Sequence, residues 1–244
     1  MTLELVAALA LLLAFLAYGL YAFQRLLVRH RTVWASRQPE PGALPQPAVA
    51  GSRRSSVPTD GAWLAVRSQD AAAVLAALGI TAPAVCHWSA GLQEVRLRGV
   101  LVLPPIDGWV LVAGADLVPA PAAEPEAVIR LVAGLSRQFG CVQWFLAVAE
   151  HEQHGWAVAF AGELQRAYAV TGGKLPWTEG SPTAAERQAG CFVSDPRDLS
   201  ADGEGWWPDL ACVRRIAAAW SRDPWAVVPE LSPKAEAWLG RWRP

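Results

Sequence analysis

Leu5 to Phe23 is an unbroken apolar run, and it constrains this chain more than any other feature. Its 19 residues would span about 30 Å as a helix, the thickness of a bilayer's hydrocarbon core. Tyr18 and Tyr21 carry the only polar side-chain atoms of the run, near its end, where amphipathic rings favour the headgroup layer. Being apolar on all sides, the run lacks the charged face of a surface-lying helix. A cleaved secretory signal would need positive charge ahead of the run, and only Met1 to Glu4 precede it. A small-residue site at Ala48 to Ala50 lies too far downstream for ordinary cleavage. The expectation is an uncleaved transmembrane anchor at residues 1–24, dissolved in the lipid bilayer through residues 5–23.

Arg25, Arg29, Arg31 and Arg37 follow the run and no basic side chain precedes it. Positive charge is retained on the cytoplasmic side, so the C-terminal body is expected in the cytoplasm. Cysteine usage agrees: Cys86, Cys141, Cys191 and Cys212 are widely spaced, with no C-x-x-C. Free thiols suit a reducing compartment, whereas a reversed topology would permit two bridges in any of three pairings.

Charge divides the chain. Residues 1–60 carry six arginines against Glu4, Glu40 and Asp60, and the remainder is mildly acidic, for an overall net charge of −1. A body without a basic stripe is a poor nucleic-acid binder. From Gln38 to Thr59 the composition turns to Pro, Gly, Ala, Ser and Arg without apolar periodicity, so residues 25–60 read as a basic, then disordered, linker. Residues 61–244 have the size of one domain with a single core.

Within that body, AWLAVR at Ala62 to Arg67 reads as a strand. Ser68 would cap a helix running through Leu78, with Gly79 just past its end. Glu94 to Leu103 and Trp109 to Ala113 read as a hairpin around the Pro104 to Gly108 turn. Pro125 to Gln138 has helical spacing. Val142 to Ala149, Trp156 to Ala161 and Leu164 to Thr171 read as successive antiparallel strands, the last two joined by a type II′ turn at Gly162-Glu163. Thr183 with Glu186 forms a capping box, Asp209 starts a helix through Trp220, and Ser232-Pro233 starts a terminal helix. The fold class is therefore α+β: an antiparallel sheet of about six strands with packed helices.

Two stretches carry a resemblance: VLVLPPIDGWVLVAG at Val100 to Gly114, and Leu135 to Gly173 followed by SPTAAE from Ser181. They resemble a family of bacterial proteins of unknown function with an α+β body. Small domains of this kind look like immunity proteins of toxin systems, an analogy of fold and setting that does not itself carry function. The resemblance implies a fold and almost no function. The immunity-like setting suggests a toxin or effector as partner, while the expected bacterial inner-membrane location comes from the apolar run and the arginines that follow it.

Two constellations have metal-ligating chemistry. Glu150-His151-Glu152-Gln153-His154 packs two histidines and two carboxylates into five residues, but this is not H-E-x-x-H, and strand residues three apart face opposite ways. Asp198, Ser200, Asp202 and Gly203, with Asp209 at the twelfth position, match a calcium loop in part. Gly205 and Trp206 occupy later positions of that loop and Pro196 breaks a preceding helix. The simpler readings are a solvated turn and an acidic loop whose Asp209 favours the next helix. Cys86-His87 and Ser89-Ala90-Gly91 have no partner pattern for a nucleophile, and no phosphate-binding glycine motif occurs. No cofactor is expected.

Most of the 13 tryptophans are expected in the core. Trp206-Trp207-Pro208 is the exception, lying in an acidic stretch with Asp202, Glu204 and Asp209. Tryptophan is enriched among interface hot spots, so Trp206, Trp207, Asp202, Glu204 and Asp209 are the expected partner-binding surface. The functional expectation is a membrane-anchored, non-enzymatic protein-binding module, of the toxin-neutralising immunity type. The alternatives are a metal-assisted hydrolase using His151 and His154, or a structural subunit of an envelope complex.

Overall fold

The computed structural model describes residues 61–96, 98–117, 125–172, 174–192, 207–232 and 234–242. The anchor and linker expectations, residues 1–60, lie outside these. No helix among the described residues is long and apolar enough to cross a membrane.

The body is α+β, and among the described residues its sheet has nine antiparallel strands rather than about six. In chain order the strands are β1 (Gly61–Arg67), β2 (Thr81–His87), β3 (Val100–Val102), β4 (Trp109–Ala113) and β5 (Cys141–Val148). β6 (Gln153–Phe160), β7 (Glu163–Thr171), β8 (Lys174–Glu179) and β9 (Glu236–Arg241) complete them. Across the sheet the order is β2-β9-β3-β4-β1-β5-β6-β7-β8. The helices are α1 (Ala71–Ala77), α2 (Trp88–Glu94), α3 (Pro125–Phe139), α4 (Ala184–Ala189), α5 (Leu210–Trp220) and α6 (Pro224–Val227).

Side chains of a strand point alternately to the two faces, and here both faces are covered. Leu64, Val66, Val112, Val142, Trp144 and Leu146 face one way, packing with Val74 and Leu75 of α1 and Val128, Val132 and Leu135 of α3. Trp63, Leu101, Leu111, Phe145, Trp156 and Tyr168 face the other, under α2, α4, α5 and α6. Two helical layers sandwich the sheet, which explains why β1 and β5 read as nearly continuous apolar runs.

Several local expectations are corrected. α1 is capped by Asp70, whose Oδ1 accepts from the Ala72 and Ala73 amides at 2.9 and 3.1 Å, not by Ser68. Glu94 ends a helix instead of opening a strand, and the strand of that hairpin is only Val100–Val102. Gly91 permits this packing: a Cβ there would lie 2.4 Å from Leu101 Cδ1. The β6–β7 turn sits one residue earlier than expected, at Ala161-Gly162, with φ of +50° and +91°. Positive φ at both central residues makes it type I′, whose twist matches the flanking strands.

β9 replaces the expected terminal helix after Ser232. Ala237 and Leu239 pack on the α5 side and Trp238 on the α1 side, a period of two. That strand is selected by its neighbours, β2 and β3, between which it pairs. β2 contains Pro83, and at the edge of the sheet the missing amide costs no ladder bond.

Candidate functional site

The layer holding α4, α5 and α6 carries those members of the expected binding surface that fall within the described residues. Asp209 accepts the Cys212 amide at 2.9 Å through Oδ1, which caps α5. Two residues earlier, Trp207 is half-buried and packs on the core beneath this layer, and Pro208 is buried. The core thus holds one side of the Trp207 ring while the rest meets solvent. Half-buried Phe192 and Trp220 pack on the same core. Asp198, Asp202, Glu204 and Trp206 lie outside the described residues.

Two thiols lie beside this entry to α5. Cys191 follows α4, and its amide donates to Glu186 O at 3.2 Å. Its S–H donates to Ala189 O at 3.4 Å. Arg215 Nη2 lies 3.2 Å from the Cys212 sulfur and donates to it. The Cys191 hydrogen bond holds Cys212 down to about 7 against the opposing effect of burial, with help from a backbone hydrogen bond and from Arg215. The same hydrogen bond, reinforced by burial, pushes the Cys191 thiol far up. Cys86 and Cys141 are also raised, by burial. The four cysteines are free thiols.

The histidine pair of the sequence is split. Glu150 and His151 lie in a single 3-10 turn, Ala149–His151, and are exposed. Glu152 turns the chain with φ +48°, after which His154 is half-buried in β6, paired in register with Ala147 and Val170. Glu150 and His151 border an open cleft of about 700 Å³ with Arg96, over walls that include Trp63, Leu92 and Val95. Among the described residues no three His, Cys, Asp or Glu side chains gather as a metal site would require.

The most elaborate polar network joins Arg166, Trp156, Glu186 and Thr183. Arg166 Nε and Trp156 Nε1 both donate to Glu186 Oε1, at 2.8 and 2.9 Å. Glu186 Oε2 accepts the Thr183 amide at 2.6 Å, completing the expected capping box. Arg166 Nη1 also donates to Thr178 Oγ1 at 2.9 Å and to the carbonyls of Glu179 and Gly180, both at 3.1 Å. Arg166 and Glu186 are fully buried, and Arg166 lies 5.3 Å over the Tyr168 ring. One signal pointed there: Arg166, Tyr168 and Val170 share a strand parity, and the last two are plainly core residues. A second link ties Gln143 of β5 to the end of α5. Its Nε2 donates to Trp220 O at 3.2 Å and its Oε1 accepts from the Ser221 hydroxyl.

Comparison with protein-family models, with curated proteins and with solved structures finds no match. The resemblance carried by Val100 to Gly114 and Leu135 to Gly173 therefore adds no residue roles.

Proposed function

We propose that this chain is a membrane-tethered, non-enzymatic protein-binding module of the immunity type, whose cytoplasmic body captures a toxin or effector reaching the bacterial inner membrane. The observation that carries the reading is Trp207: an aromatic ring seated on the core by one side, open on the other, and fixed in place by a buried proline and a capped helix. A rigid, half-exposed tryptophan loses little side-chain entropy on binding, which is why such residues act as anchors. Asp209 adjoins it, so a basic partner surface is the electrostatic complement. The apolar run at residues 5–23 supplies the tether, which raises the local concentration of the body for anything arriving at that membrane.

A photo-crosslinking side chain placed at position 207 in living cells tests the surface, with the exposed Gln138 on the opposite layer as control. The expected result is one discrete protein adduct from position 207 and none from position 138. Equal labelling from both positions, or none from 207, would reject the surface. Co-expression of the captured protein then asks whether the full chain restores growth and whether Trp207→Ala abolishes the rescue.

A further inference from the structure

We propose that the open cleft where β1 begins is a binding site for a short zwitterionic peptide, of two or three residues with apolar side chains and both termini free. The inference is independent of the protein-binding reading, which rests on Trp207.

The cleft exists because small residues meet at this end of the sheet. Gly61 and Ala62 open β1, and Ala113 closes β4 ahead of Gly114. None of them fills the space over a floor that includes buried Trp63, Leu92 and Val95. Gly114 has no substitute there: its φ is +155°, and a Cβ would lie 2.2 Å from Gly99 O. The resulting volume of about 700 Å³ is that of an ordinary small-ligand site.

Gln93, Arg96, Glu150 and His151 line the same cleft and are exposed. Among the described residues their side chains make no hydrogen bond or ion pair, with one another or with anything else. Val95 O accepts the Ala115 amide at 2.9 Å, which sets Arg96 beside the end of β4. Glu150 follows β5, and β4 and β5 flank β1 on opposite sides. The two charges therefore spring from backbone about 10 Å apart, two strand spacings. An extended peptide gains about 3.5 Å per residue, so two or three residues cover that gap.

Charge balance selects the class of ligand. A lone anion would face Glu150 and a lone cation would face Arg96, whereas a free peptide is charged at both ends near neutrality. The Arg96 guanidinium takes the carboxylate in a fork, and Glu150 takes the ammonium. The Gln93 amide, which both donates and accepts, suits the peptide unit between them. The floor favours apolar side chains.

The test dialyses the full chain in lipid nanodiscs to equilibrium against pooled di- and tripeptides of Val, Leu, Ile and Phe, with retained peptides identified by mass spectrometry. Retention above that of empty nanodiscs is expected for free-ended peptides, and about tenfold less for N-acetylated or C-amidated ones. No retention above empty nanodiscs overturns the proposal. Equal retention of free and blocked forms means apolar adsorption only and overturns it too. Arg96→Gln is expected to erase the discrimination against amidated ends and to keep that against acetylated ends; Glu150→Gln should do the reverse. Both changes are on exposed side chains, and wild-type discrimination in both variants would refute the assignment of the two ends.

Discussion

The two faces of the sheet are closed in different ways. On the α1/α3 side one long amphipathic helix and one short helix lie over Val, Leu, Ala and Trp side chains, and burial of apolar surface does most of the work. The α4/α5/α6 side is built from shorter helices tied down by polar side chains: Glu186 to Arg166, Gln143 to Ser221, and Asp223 to Arg214 at 2.9 Å. Short helices bury too little surface to fix their own positions, and directional bonds supply what area does not. The difference teaches where function can sit. The apolar layer is a support, and the hydrogen-bonded layer can hold half-exposed groups at defined positions.

Breaking the buried ion pair should have the largest effect on this contrast. Glu186→Ala leaves Arg166 charged and unpaired inside the protein, and a loss of about 3–5 kcal/mol is expected in denaturant unfolding. Replacing both partners together, as Arg166→Met with Glu186→Leu, should recover much of it, because the uncompensated charge is gone. On the apolar side the comparable lesion is Leu135→Ala, which leaves a cavity under α3. It should cost about 2–3 kcal/mol and show no rescue by a polar partner. If the double replacement were as damaging as Glu186→Ala, the proposed division between the faces would fail.

Smaller effects sharpen the comparison. Thr183→Ala removes the hydroxyl that accepts the Glu186 amide at 3.2 Å, and a loss of about 1 kcal/mol is expected from thermal or chemical unfolding. Stability should also respond to pH through the thiols. Cys212 is lowered from 9.0 to about 7 in the folded chain, so between those values the unfolded chain binds more protons and stability rises with pH. Below about 7 that contribution is lost. Cys191 is shifted upward and acts in the opposite sense above its ordinary value. Unfolding midpoints measured on either side of neutrality should therefore rise more for the wild type than for Cys212→Ser. Smallest of all, Glu126→Gln on α3 breaks an exposed pair with Arg130 at 3.6 Å and should change stability by less than about 0.5 kcal/mol.

Local chemistry was the legible part of this fold. Thr183 with Glu186, and Asp209 before Leu210, announce helix starts because a cap is decided by side chains within three residues of one another. The strands β5, β6 and β7 were legible to within a few residues from apolar runs and turn residues. β2 and β9 were not, since an edge position excuses Pro83 and only the pairing with β3 makes Glu236–Arg241 extended. The candidate site shows the same division. Trp207 and Asp209 stood out as an aromatic beside acid, whereas the Arg166–Glu186 pair joins residues 20 positions apart.

What the sequence alone determined is the α+β class, the apolar run read as an anchor, and the caps of α4 and α5, all written in periodicities and contacts a few residues long. Only the tertiary structure decided the nine-strand order and the inward charge of Arg166. Each depends on bringing distant segments together. That choice is made by the shared burial of two sheet faces, and no single stretch of the chain encodes it.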